Sequence, residues 1–230
     1  MLNNEAKWVG RVLTGLPADA FPVLNVGSQT RWFREIDQPF IDEQIFAPLR
    51  RAGRRVVHTD LRAGDGIDVS GDLMDPTFRR HLTDDLGVKS VLCCNVLEHV
   101  ADPVLIANTL AAVVAERGGH LVITVPRSFP YHPDPIDTML RPSPAELSQF
   151  VEPLTPVSVA EVRSGSLLSY AARRLLSSRA SAATNLRESV APHDSGRVPR
   201  SFADLAPWIV RPFVVTCGWY RSPSLETGTS

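Results

Sequence analysis

The segment from Pro126 to Asp137 brings together side chains that could move a proton. It reads Pro126, Phe129, Pro130, Tyr131, His132, Pro133, Asp134, Pro135, Ile136, Asp137, and so holds one imidazole, two carboxylates and two aromatic rings. An imidazole titrates near working pH, so His132 is the first candidate for a general base that takes the proton of a hydroxyl nucleophile. His99 is the second. Asp134 and Asp137 would orient a histidine or serve as turn residues, since Asp before Pro starts turns for local reasons. The four prolines restrict the backbone of the loop, which suits a site that must be preorganised. A metal reading of His132, Asp134 and Asp137 lacks a fixed fourth ligand, so no metal is expected.

A second group of residues suits a nucleoside. Asn25, Val26, Gly27, Ser28 and Gln29 follow an apolar run, and a glycine there lets backbone approach a ligand closely. Asp60 follows the next run and could accept hydrogen bonds from both hydroxyls of a ribose. Asp72 beside Leu73 could take the exocyclic amine of an adenine while the leucine covers the ring. Asn95 ends another apolar run. Taken singly, the glycine could be an ordinary turn, Asp60 a solvated carboxylate and Asp72 a cap or turn residue. Their order along the chain carries more than any one of them.

The elements that must position these groups are short and apolar. Pro22 to Val26, Arg55 to Thr59, Ser90 to Asn95 and His120 to Val125 are rich in Val, Ile and Leu, as strands buried on both faces of a parallel sheet are. Helix starts separate them: Asp75-Pro76, Asp102-Pro103, and Ser143 with Glu146 in the form of a capping box. Ile106, Leu110, Val113 and Val114 share one helical face, and Gly118-Gly119 stops that helix. Strand and helix in alternation mean βαβ units. Ligands of such sheets bind beyond the carboxyl ends of the strands, where Gly27, Asp60 and Asn95 fall.

Residues 1–20 are expected to form a leading helix, and 21–150 the binding core. Residues 151–230 are expected to supply a possible strand at Val157 to Val162, an arginine-bearing helix over Ser166 to Glu188, a loop over 189–201 and a last, antiparallel strand at Phe213 to Tyr220. The 230 residues fit a single domain. A net charge of −1 gives no argument for nucleic acid as a partner, and no apolar run approaches a membrane span. Cys93 and Cys94 sit in a strand, where neighbours face opposite ways, so they read as core residues in a reducing, cytoplasmic setting. No signal peptide is expected from the first residues.

The series VLNVGS, VVHTDL, GDLMDP, SVLCCNVLEHVADP and ERGGHLVITVP resembles the motif series of class I S-adenosylmethionine-dependent methyltransferases, over about residues 21 to 150. FPYHPDPIDTMLRPSPAEL also resembles a subgroup encoded near biosynthetic or glycan clusters. The resemblance implies a Rossmann-like α/β three-layer sandwich, with a mostly parallel seven-stranded sheet and an antiparallel edge strand. It implies S-adenosyl-L-methionine as cofactor, held by Asn25, Gly27, Ser28, Gln29, Asp60, Asp72, Leu73 and Asn95. It places the His132 loop over the methyl donor and implies a small-molecule acceptor, methylated on oxygen, and a monomer or homodimer.

One departure stands out. The family's glycine loop runs acid, any, Gly, any, Gly, whereas here the acid is Asn25 and the second glycine is Gln29. Asn25 cannot attract the amino group of the cofactor by charge, and Gln29 adds a side chain where backbone usually crowds the ligand. That motivates an alternative, a non-catalytic relative serving as a nucleoside-binding or partner module. A nicotinamide oxidoreductase fits less well, because three spaced glycines and a Tyr-Lys pair are missing.

Overall fold

The computed structural model describes residues 1–132, 136–169 and 206–223. Its strands are β1 (Val23–Val26), β2 (Val56–Asp60), β3 (Val69–Ser70), β4 (Ser90–Cys94), β5 (His120–Ser128), β6 (Thr155–Arg163) and β7 (Val214–Arg221). The helices are α1 (Asn3–Gly15), α2 (Pro39–Ile41), α3 (Ala47–Arg51), α4 (Pro76–Arg80), α5 (Pro103–Arg117) and α6 (Pro144–Phe150). The seven strands form one sheet in the order β3-β2-β1-β4-β5-β7-β6. Neighbours from β3 to β5 are parallel, whereas β7 runs antiparallel to β5 and to β6, which closes that end of the sheet.

Alternation along the strands splits the core into two layers. Leu24, Val26, Val91, Cys93, Leu121 and Ile123 face α5, packing with Ala107, Leu110, Ala111 and Val114. Val23, Leu92 and Val122 face the other way, onto Ala6, Val9 and Leu13 of α1 and onto Ile41, Ile45, Phe46 and Leu49. The adjacent cysteines obey the same rule, with Cys93 in the first layer and Cys94 packed against the second. The result is the expected three-layer sandwich.

The expected caps are formed. The carboxylate of Asp75 accepts from Thr77 N–H at 2.8 Å and that of Asp102 from Leu105 N–H at 2.9 Å. Ser143 and Glu146 close a reciprocal capping box. Gly118, at φ 66°, ends α5 in the left-handed conformation that favours glycine. The strand expected at Val157 to Val162 is β6, and α1 is the leading helix. Of the segment Ser166 to Glu188, residues 170 onward lie outside the described residues, as does the loop 189–201. Among the described residues no helix is long and apolar enough to cross a membrane.

Parallel register brings the carboxyl ends of β1, β2, β4 and β5 to one edge. Val26 pairs with Thr59 and Cys93, and Cys94 with Thr124. The described candidate residues lie on or just beyond that edge.

Candidate functional site

The loop after β1 is left-handed at two points, Gly27 at φ 62° and Gln29 at φ 55°. At Gly27 a Cβ would stand 2.6 Å from Val96 Cγ2, so both the backbone angle and the space require glycine. The loop is clasped to β2: Ser28 N–H donates to Thr59 O at 3.0 Å and Gln29 N–H to Asp60 Oδ2 at 3.1 Å. Beneath it lies the buried guanidinium of Arg34. This group donates from Nη1 to Ser28 O at 2.9 Å and to Gln29 O, and from Nη2 to Gly66 O at 2.7 Å. One guanidinium thereby holds the carbonyls of both the β1 loop and the turn at Gly66. Burial lowers the Arg34 pKa, against the pull of nearby acids. Arg34 escaped the sequence reading because an arginine in a helical stretch normally marks a solvated face.

Asn25 is buried, and its amide Nδ2 donates to His58 Nδ1 at 3.0 Å. His58 also lies edge-on to Phe46, with ring centroids 4.8 Å apart. Burial, reinforced by the Arg34 charge, pushes the His58 pKa down to about 4. The amide that stands in the acid's place is therefore bonded sideways to the next strand.

Asp60 keeps one oxygen without a hydrogen bond among the described residues, since only Oδ2 is taken by Gln29. Its own carbonyl accepts from Gly71 N–H at 3.1 Å, which places Asp72 and Leu73 just beyond the same strand end. Asp72 is exposed and closes its own turn, Oδ1 accepting from Met74 N–H at 2.8 Å. Leu73 is half-buried against the core. Asn95 adopts φ 52° and donates from Nδ2 to Glu5 Oε1 at 2.8 Å. The same oxygen accepts from Thr124 Oγ1 at 2.7 Å, and Glu5 Oε2 accepts from Leu2 N–H at 2.9 Å. Glu5, wholly buried, thus ties α1 to the ends of β4 and β5. Sequence reasoning missed it, because it looks like a first-turn acid of an ordinary helix.

The second half of the site is a cluster at the ends of β4 and β5. A helical turn after β4 carries Leu97, Glu98 and His99, and the loop after β5 carries His132. His99 Nδ1 lies 2.5 Å from Ile136 O, and His132 Nδ1 lies 3.0 Å from Pro130 O and 3.1 Å from Asp137 Oδ2. All three partners only accept, so both rings carry a proton on Nδ1 and turn Nε2 toward Glu98. Those Nε2 atoms lie 3.7 Å (His99) and 4.0 Å (His132) from Glu98 Oε1, and the rings meet edge to face at 5.1 Å. Burial lowers the His132 pKa, with Pro130 and Asp137 pulling the other way.

Glu98 is completely buried, and among the described residues neither carboxylate oxygen has a side-chain hydrogen-bond partner. Burial pushes its pKa up to about 8. Its backbone carbonyl accepts from Thr138 N–H at 2.9 Å, pinning the loop to the turn. Asp137 is the opposite case. Burial works against its charge, but it accepts from both Arg141 Nη atoms, His132 N–H and Met139 N–H, and these hold its carboxyl below the usual range. The structure therefore brings His99 and His132 together and supports His132 with Asp137. Asp134 lies outside the described residues. Glu98 and Arg141 were missed by sequence reading: the motif shows an acid beside a histidine, but only packing shows that the acid is shut off from solvent.

No family profile matches the sequence, and no curated protein does. Solved structures of similar shape include a candidate methyltransferase in complex with the Haloferax volcanii Trm112 methyltransferase activator, at 14% identity and TM-score 0.45, covering 96% of this chain and 89% of that one. A candidate methyltransferase of Bacillus halodurans C-125 matches at 13% identity and TM-score 0.47, covering 95% of this chain and 99% of that one. The N-terminal domain of EvdMO1 with SAH bound matches at 13% identity and TM-score 0.41, covering 96% and 83%.

Proposed function

We propose that this chain is an S-adenosyl-L-methionine-dependent methyltransferase acting on an oxygen of a small molecule. One observation carries the reading: the loop Gly27–Gln29 is clasped to Asp60 on the same strand-end edge that holds Glu98, His99 and His132. A nucleoside-binding half thus adjoins a proton-handling half.

The residues fit such a cofactor in one respect: among the described residues Asp60 retains a carboxylate oxygen without a hydrogen bond, available to a ribose hydroxyl. Gly27, Ser28, Gln29 and Asp60 would hold the nucleoside, with Asp72 and Leu73 at its base and Asn25 and Asn95 supporting the strand ends. When bound, the cofactor supplies a methyl group on a sulfonium, which is already activated. The protein's part is to hold the acceptor oxygen in line and to take its proton. His132 Nε2 is the candidate base, His99 the second, and Asp134 a candidate orienting group.

The sideways bond of Asn25 to His58 favours a second reading, a nucleoside-binding or partner module without turnover. Calorimetric titration with S-adenosylmethionine and S-adenosylhomocysteine separates the possibilities. Absence of binding by either at millimolar concentration sinks the first reading. Binding with transfer of labelled methyl to a hydroxylated acceptor supports it, and binding without transfer across a broad panel supports the module.

A further inference from the structure

We propose that Glu98, His99 and His132 form a binding site for a divalent first-row transition-metal ion. Glu98 Oε1, His99 Nε2 and His132 Nε2 lie within 4.8 Å of one another. All three atoms point into one small volume, Glu98 Oε1 lying 3.7 Å from His99 Nε2 and 4.0 Å from His132 Nε2. Glu98 has no solvent exposure, and among the described residues neither oxygen has a side-chain hydrogen-bond partner, so burial favours its neutral form and a cation bound there would stabilise the charged one.

The histidines are prepared as ligands. Each gives its Nδ1 proton to a fixed acceptor, Ile136 O for His99, and Pro130 O or Asp137 Oδ2 for His132. Metal-ligating histidines almost always do this with their second nitrogen, because it sets the tautomer and the ring direction. Asp137 is held in turn by Arg141. Two imidazoles and one carboxylate suit a borderline ion such as Zn²⁺ better than Ca²⁺ or Mg²⁺, which prefer all-oxygen shells. The spacing is wider than the ~3.3 Å between ligand atoms of a tetrahedral zinc site, so binding would draw the His132 loop toward the Glu98 turn. A three-ligand set leaves a coordination position open for a water or another oxygen ligand.

The sequence alone led to no metal being expected, because the set His132, Asp134 and Asp137 lacked a fixed fourth ligand. The present ligand set crosses from the β4 end to the β5 end. The inference goes beyond methyl transfer and does not require it. With the ion bound, His132 Nε2 is a ligand and cannot also be the base, so the two roles are exclusive.

The test uses the full chain, free of tag, stripped of metal with chelator and titrated without S-adenosylmethionine. Co²⁺ is followed by visible absorption, and Zn²⁺ by calorimetry and thermal melting. One ion per chain is expected, with a rise in Tm on adding Zn²⁺. His99→Ala, His132→Ala and Glu98→Gln should each weaken binding at least ~10-fold. His81→Ala, on the exposed pair with Asp85, should leave it unchanged. No saturable binding and no Tm shift in the wild-type chain overturns the proposal, whatever the variants do. Binding that survives all three ligand substitutions overturns it equally.

Discussion

Asn25 on β1 and His58 on β2 stand opposite each other in register, and the asparagine amide donates to the imidazole at 3.0 Å. Where the resembled family carries a charged acid, this chain has a neutral bridge between two strands. The bridge requires His58 to be unprotonated at Nδ1.

That requirement has a pH consequence. The His58 pKa falls from 6.5 to about 4 on folding, so the unfolded chain takes up the proton first as pH drops. Stability from this residue is complete above about pH 6.5 and is lost as pH falls toward 4, with a slope of up to ~1.4 kcal/mol per unit. Urea melts of wild type and His58→Gln across pH 4 to 8 should show the wild type losing more stability on acidification. Parallel curves would remove His58 from this role.

Arg34 should matter more than its helical setting suggests. Arg34→Ala strips donors from Ser28, Gln29 and Gly66 carbonyls, for an expected loss of about 2–4 kcal/mol in denaturant melts. Arg34→Lys should recover only part of it, since a single ammonium cannot reproduce the planar fork.

Two substitutions in the β1 loop should act in opposite directions. Gly27→Ala puts a methyl group 2.6 Å from Val96 Cγ2 at a positive φ and should cost about 1–3 kcal/mol. Gln29→Gly relieves a left-handed non-glycine residue and should leave stability unchanged or raise it by up to about 1 kcal/mol. Thermal melts of both variants check the contrast.

Glu5 should couple the leading helix to the site. Glu5→Ala leaves Asn95 Nδ2 and Thr124 Oγ1 without their acceptor and should cost about 2–4 kcal/mol. Glu5→Gln keeps one acceptor oxygen and should cost about half as much. Hydrogen exchange of the Leu2 to Ala6 amides, faster in both variants, would confirm that the contact anchors α1.

The sequence determined the architecture, because the signals for it are local. Unbroken apolar runs mean doubly buried strands, Asp-Pro and Ser-x-x-Glu mean helix starts, and their alternation means a parallel sheet with ligand residues at its carboxyl edge. Those rules placed Gly27, Asp60 and Asn95 on one edge before any coordinates, and the resemblance set the His132 loop over it. Tertiary structure decided what each group there can do, since burial and hydrogen-bond partners come from residues distant in the chain. Packing buried Glu98 wholly, gave Asn25 to His58, and turned Arg34 and Glu5 inward to hold the loop and the strand ends. It also assigned the protons of His99 and His132, because Ile136, Pro130 and Asp137 arrive from a loop whose path no local pattern encodes.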